Sequence, residues 1–260
     1  MNKNNSFVFF SVIKALFFRE IKTRFGNSLL GYIWAFLEPL SHVLVLGSIF
    51  TLVGRDSIQN IPFFYFLGIS IMSWFLFSNT FSKVSSGIQA NQGLFLYKQV
   101  KIFDVMLTRA IVEYLLFLFS FATFQVFAYF YFEKFYFNNL FGVILISLLI
   151  SALGYSLGII FGILFQFNES LKKIVNVFIR LLYFSAGIFF TFEKIPYIYQ
   201  HYFLYNPIFV LINDIRHFYF GNNFELIRLN EQSYIVFLLL FLFNFGFFLN
   251  KFFEKSILRG

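Results

Sequence analysis

The sequence predicts an all-α polytopic integral membrane protein: six transmembrane helices, an N-terminal amphipathic interface helix, and a re-entrant external helical pair between spans five and six. Three observations predict this class. The composition is 59% hydrophobic and 25% aromatic with only 12% charged residues, whereas soluble domains run roughly 45–50% apolar and 25% charged. Six apolar runs approach or reach the length that crosses about 30 Å of hydrocarbon. Lysine and arginine concentrate on alternate connections between those runs. An ordinary water-soluble globule is excluded.

The chain divides as one transmembrane domain over residues 1–260, with a cytoplasmic interface helix in 1–30, spans one to five in 31–192, an external re-entrant segment in 193–233, and span six with a cytoplasmic tail in 234–260. In residues 7–25, Phe10, Ile13, Phe17 and Ile21 recur at spacings of three and four, with Lys14, Arg19 and Lys22 on the other face. This is the pattern of an interfacial helix. Its cations serve equally as a topology anchor or as lipid-headgroup contacts, because both use the same residues. They also interrupt the apolar residues too early for a cleavable signal peptide.

The spans follow at Tyr32–Val53, Ile61–Phe81, Ala110–Phe132, Leu140–Phe165, Ile174–Phe192 and Tyr234–Leu249, the last of them short. Fourteen Lys and Arg fall on one side of this topology, in residues 1–30, the loops after spans two and four, and the tail. Five fall on the other: Arg55, Lys134, Lys194, Arg216 and Arg228, beside six acids. Both termini are therefore expected in the cytoplasm. The net charge of +8 is absorbed by this asymmetry, leaving no basic stripe for nucleic acid.

Residues 193–233 are too apolar for a water-exposed loop, yet the run from Pro207 to Phe220 makes a helix of only about 21 Å. A pair of short helices broken at Asn206–Pro207 satisfies both constraints, provided protein or a water-filled cavity covers the backbone.

Ionisable groups inside spans are costly and mark functional candidates. Glu113 has a structural partner in Arg109 one turn earlier. Glu38 precedes Pro39, near Tyr32, Trp34 and His42, and Arg180 lies in the first half of span five. If spans one and five share a pathway, Glu38 and Arg180 pair across it, as substrate contacts or as a structural ion pair. Gly154, Gly158 and Gly162 recur every four residues in span four, as close helix packing requires.

Cysteine is absent, and three histidines supply little for a metal cluster, so no metal site is expected. The chain has no G-x-x-x-x-G-K-[ST] loop, H-E-x-x-H or G-x-S-x-G sequence. It cannot cradle ATP in a P-loop of its own, and no catalytic residue is assigned.

Three stretches carry a resemblance: REIKTRFGNSLLGYIWAFLEPLSHV from Arg19 to Val43, ANQGLFLYKQVKIFD from Ala90 to Asp104, and YNPIFVLINDIRHFYF from Tyr205 to Phe220. They resemble the ABC-2 type transporter permeases that form the inner-membrane subunit of capsular polysaccharide export, the KpsM type. Ile102 stands where that pattern has proline.

The resemblance implies an ATP-driven ABC exporter of lipid-linked acidic polysaccharide, multi-pass in the bacterial inner membrane. The chain would form a homodimer with two copies of a separate cytoplasmic ABC ATPase, which would carry the ATP and Mg, with no cofactor on this chain. Periplasmic co-polymerase-like and outer-membrane export proteins would continue the route. Asn91, Gln92, Gly93, Leu94, Phe95 and Tyr97 would couple to the ATPase. Arg19, Lys22 and Arg24 would receive the lipid or phosphate end of the cargo. Tyr32, Trp34, Glu38, His42, Arg180 and Tyr183 would line the pathway, and Asn206, Pro207, Arg216 and His217 an outer gate. Export of O-antigen or teichoic acid is the alternative within this resemblance. A membrane-embedded lipid-modifying enzyme, or a channel or scaffold subunit, is the alternative outside it.

Overall fold

The computed structural model describes residues 3–26, 29–133, 136–221, 224 and 229–257, with backbone alone at 3–6, 29–33, 35–36, 229–232 and 255–257. Lys134, Glu225, Arg228 and Arg259, four of the charges used to orient the chain, lie outside the described residues.

The order of elements is α1 (Lys3–Phe25), α2 (Leu29–Leu52), a hairpin of β1 (Ser57–Ile58) and β2 (Ile61–Pro62), α3 (Phe63–Ser85), α4 (Gly87–Ala90), α5 (Ile102–Phe132), α6 (Leu140–Phe167), α7 (Glu169–Ser185), α8 (Tyr197–Leu204), α9 (Pro207–Phe220) and α10 (Leu229–Ile257). A single 3₁₀ stretch, Gln92–Leu96, follows α4, and another, Phe192–Lys194, precedes α8.

Local chemistry sets the ends. Gly26 adopts φ +60 after α1 and its amide donates to the Lys22 carbonyl at 2.8 Å, closing the helix in the left-handed conformation that glycine tolerates. Asn139 accepts from the Gly142 amide at the start of α6, and Asn168 from the Ser170 and Leu171 amides at the start of α7. Asp104 accepts from the Lys101 amide at the start of α5. The hairpin turns at Gln59 and Asn60, both at positive φ, pairing Ser57 with Pro62 and Ile58 with Ile61.

α3 is the centre of the bundle, packed by α2, α5, α6 and α9 and buried along most of its length. The four-residue glycine spacing of α6 meets it. A Cβ on Gly154 would stand 2.8 Å from the Phe77 carbonyl oxygen, one on Gly158 2.7 Å from Val84, and one on Gly162 2.9 Å from Met106. The expected close packing is present.

Among the described residues, four helices are long and apolar enough to cross a membrane: Phe63–Ser85, Ile102–Phe132, Leu140–Phe167 and the Ser233–Glu254 part of α10. The sixth expected span is thus longer than the sequence suggested, because its helix runs through Asn250, Lys251 and Glu254. α5 also starts eight residues earlier than expected. α2 runs 24 residues and continues through Pro39, and its described side chains include the apolar stretch Leu37–Leu52.

The helix in the region of the fifth expected span, Ile174–Phe192, has different bounds. α7 is a 17-residue helix of about 26 Å, carrying Lys172, Lys173 and Arg180, and it stops at Ser185 before a turn with Gly187 at φ +73. The segment after α7 does break where proline dictates. α8 ends before Asn206, α9 opens on Pro207 at its first turn, and α9 is then almost wholly buried.

Candidate functional site

α2 presents two faces. Pro39, Val43 and Gly47 are buried, while Trp34, Glu38 and His42 are exposed. Tyr32 lies in α2, but its side chain is outside the described residues.

His42, Arg180 and Tyr183, all expected in the pathway, come together in one cavity of about 360 Å³ with Trp74, Phe75, Ser78, Ile179 and Phe184. The His42 and Phe75 rings meet edge-on at 5.1 Å, as do Trp74 and Tyr183 at 5.5 Å. The Tyr183 hydroxyl is buried without a hydrogen-bond partner among the described residues, while Arg180 is exposed. The cavity therefore combines aromatic walls with a cation and an imidazole. Such a lining favours ring-shaped polar cargo over a purely apolar one.

Glu38 faces a different, smaller cavity with Arg24, Asn79, Glu113 and Ser120. Phe75 lines both cavities and separates them. Within one chain Glu38 and Arg180 are not paired.

Glu113 is also differently partnered than expected. It forms an ion pair with Arg24 of α1, and Arg109 forms one with Glu20 at 3.3 Å. Arg109 further donates to the Lys83 carbonyl at 2.8 Å and to Ser86 Oγ at 3.3 Å. Burial explains the exchange: at 4% exposure the Glu113 carboxylate needs a close counter-charge, and α1 supplies one. The face that α1 turns inward combines Ile13, Leu16 and Phe17 with Glu20 and Arg24, while Phe7, Phe10 and Phe18 stay exposed. Of the three cations expected to receive the cargo, Arg19 donates to Asn91 Oδ1 at 2.7 Å and Arg24 holds Glu113; Lys22 is exposed.

Asn91 accordingly is buried, and its amide also donates to the Gly87 carbonyl at 2.8 Å. Beyond it, Gln92, Gly93, Leu96 and Tyr97 are exposed and Leu94 and Phe95 half-buried. Leu96, at 86% exposure, is the most outward apolar side chain of this loop, and sequence reasoning passed over it.

At the other end of the bundle, Arg216 is buried. Its Nε and Nη2 donate to Ser70 Oγ at 2.9 and 2.6 Å, Nη2 also to the Gly187 carbonyl at 2.6 Å, and Nη1 to the Phe190 carbonyl at 3.3 Å. The guanidinium lies 4.0 Å from the Phe66 ring centroid. Burial pulls its pKa down to about 9, which leaves it charged at neutral pH. Asn206 donates to the Ser185 carbonyl at 3.3 Å, and His217 Nδ1 lies 2.5 Å from the Phe224 carbonyl. Arg216 fixes α9 against α3 and the 187–190 turn and is itself fully enclosed.

Residues 11–220 match the family model of the ABC-2 type transporter. The chain belongs to that family. Its relatives include the polysialic acid transport protein KpsM of Escherichia coli, 34% identical over 196 residues, which are 75% of this chain and 76% of that one. The O-antigen export system permease protein RfbA of Klebsiella pneumoniae is 26% identical over 232 residues, 87% of this chain and 88% of its own. The capsule polysaccharide export inner-membrane protein CtrC of Neisseria meningitidis serogroup B is 36% identical over 105 residues, 39% of this chain and 38% of that one. As an ABC-2 type chain it is a transporter membrane subunit rather than a catalytic enzyme, and membership implies an ATPase partner.

Sequence reasoning missed Trp74, Phe75 and Ser78 of the larger cavity. They lie within an apolar run of span two, where nothing in the spacing marks which side chains turn toward α7. The signal available was Trp74, one of only two tryptophans in the chain.

Proposed function

We propose that this chain is the membrane permease subunit of an ATP-driven exporter that moves lipid-linked capsular polysaccharide across the inner membrane. The observation that carries the reading is the likeness to the KpsM protein over three quarters of both chains. In this reading α2 and α7 join the four long apolar helices as spans one and five, and α8 with α9 forms the re-entrant external pair. Both termini are cytoplasmic.

Two copies assemble with two separate ATPase subunits, which bind ATP and Mg and hydrolyse the nucleotide. The loop around Gln92–Tyr97 docks on the ATPase through Leu94, Phe95, Leu96 and Tyr97. Lys22, with Arg19 and Arg24 behind it, meets the anionic end of the cargo. The glycan then passes along the exposed face of α2, by Trp34, Glu38 and His42, and the Arg180 and Tyr183 wall of α7. Aromatic surfaces hold sugar rings weakly and without fixing one sequence, which suits a sliding polymer. Asn206, Pro207 and His217 shape the outer end, with Arg216 securing α9. Periplasmic and outer-membrane proteins extend the route.

Deleting the gene and extracting polysaccharide separately from the cell surface and the cytoplasm tests this. A bare surface with a lipid-terminated polymer inside is expected; unchanged surface glycan with no internal pool would reject it. The likeness to RfbA over 87% of the chain favours O-antigen as the second reading. The chemistry of the retained polymer separates the two.

A further inference from the structure

Five charged groups meet where α1 crosses the ends of α3 and α5: Glu20 and Arg24 from α1, Lys83 from α3, and Arg109 and Glu113 from α5. Glu20 and Arg24 stand four residues apart on one helix, Arg109 and Glu113 four apart on the other. Their charges run in opposite order, so each pair forms between helices. Sliding α1 by one turn would set Glu20 beside Glu113 or Arg24 beside Arg109, placing like charges together in a weakly screened environment. The apolar neighbours Leu16 and Phe17 impose no such register.

The same stretch of α1 reaches the neighbouring loop, where Arg19 donates to the buried Asn91, directly before residues 92–97. At its far end Arg24, with Glu113, forms part of the wall of the Glu38 cavity. One and a half helical turns, about 8 Å, thus connect the loop to that wall.

We infer that α1 is a registered strut linking the loop to the Glu38 cavity, with Arg19, Glu20, Arg24, Asn91, Arg109 and Glu113 as positioning residues for transport. The inference rests on the reading that the loop receives the ATPase. Displacement of the loop is carried by the Arg19–Asn91 tie into α1, and by α1 into the Arg24–Glu113 pair. The cavity wall on α2, α3 and α5 then changes as the ATPase moves.

The test uses the whole permease–ATPase complex in proteoliposomes and measures polysaccharide moved per ATP hydrolysed. Arg24→Glu and Glu113→Arg should each lower that ratio by about tenfold while ATP hydrolysis continues, and the exchanged pair should restore it. If either single variant assembles and keeps the wild-type ratio, the strut is overturned, whatever the change in membrane abundance. If neither variant assembles, exposed Arg19 decides. Arg19→Gln should lower the ratio with the complex intact, and an unchanged ratio would overturn the proposal. Leu96→Asp separates the underlying reading: if the complex survives it with full coupling, the ATPase docks elsewhere and the fault lies there rather than in the strut.

Discussion

Arg216 on α9 grips Ser70 on α3 through two nitrogens, at 2.9 and 2.6 Å, while the same guanidinium collects carbonyls from the turn that follows α7. One side chain thereby ties three segments at this end of the bundle. Replacing it with methionine removes the charge and strands those acceptors, at about 1–3 kcal/mol for each buried group left unpaired. Arg216→Met should lower the thermal midpoint of the detergent-solubilised protein and reduce its membrane abundance. Arg216→Lys, with its charge retained but its fork lost, should fall between the two. An unchanged midpoint in the methionine variant would contradict the anchoring role.

The α6 glycines give a graded test of packing. Gly158→Leu drives a Cβ to 2.7 Å from Val84, and Gly154→Leu to 2.8 Å from a backbone oxygen. Overpacking of this kind costs about 1–3 kcal/mol. Both variants should shift monodisperse material toward aggregate in size-exclusion chromatography, whereas Gly93→Ala, with nothing within 4 Å, should behave as wild type.

Leu96 and Tyr97 project from the loop at 86% and 66% exposure. An apolar anchor in a protein interface is worth about 2 kcal/mol or more, some thirtyfold in affinity. Leu96→Asp should therefore abolish co-purification of the ATPase while leaving the isolated permease equally abundant. Undiminished co-purification would move the docking surface elsewhere.

For the pathway, Arg180→Ala and Glu38→Ala should each lose export while keeping the ATPase bound. Full surface polysaccharide in both variants would remove these residues from the route. Tyr183→Phe, which deletes only the buried unpartnered hydroxyl, should be well tolerated in stability.

The long helices were legible because a run of apolar residues in lipid has few other solutions, and the glycine triad because a spacing of four returns to the same helix face. Glu113 was not, because sequence shows its neighbour one turn away but not the helix that will cross it. The end of α7 was not legible either, for a related reason. Its apolar residues continue past Ser185, yet Gly187 turns the chain and sends Phe189 and Phe190 into the core around α9. Arg216 was placed at a gate through the resemblance alone, whereas the turn carbonyls that hold it become visible only once α7 has ended. His42, Arg180 and Tyr183 were individually readable; their shared cavity depends on the side of α3 that faces them.

The small hairpin after α2 has a practical consequence. Its tip, Gln59 and Asn60, is exposed, and Gln59 donates to Glu193 at 2.8 Å, so the tip is held in place by its neighbour. Because the chain contains no cysteine, Asn60→Cys introduces a solitary thiol against a silent background. A membrane-impermeant maleimide applied to intact spheroplasts should label it at once, while a thiol at position 96 should react only after the membrane is opened. Together the two labels turn the orientation of every helix between them into a direct chemical readout.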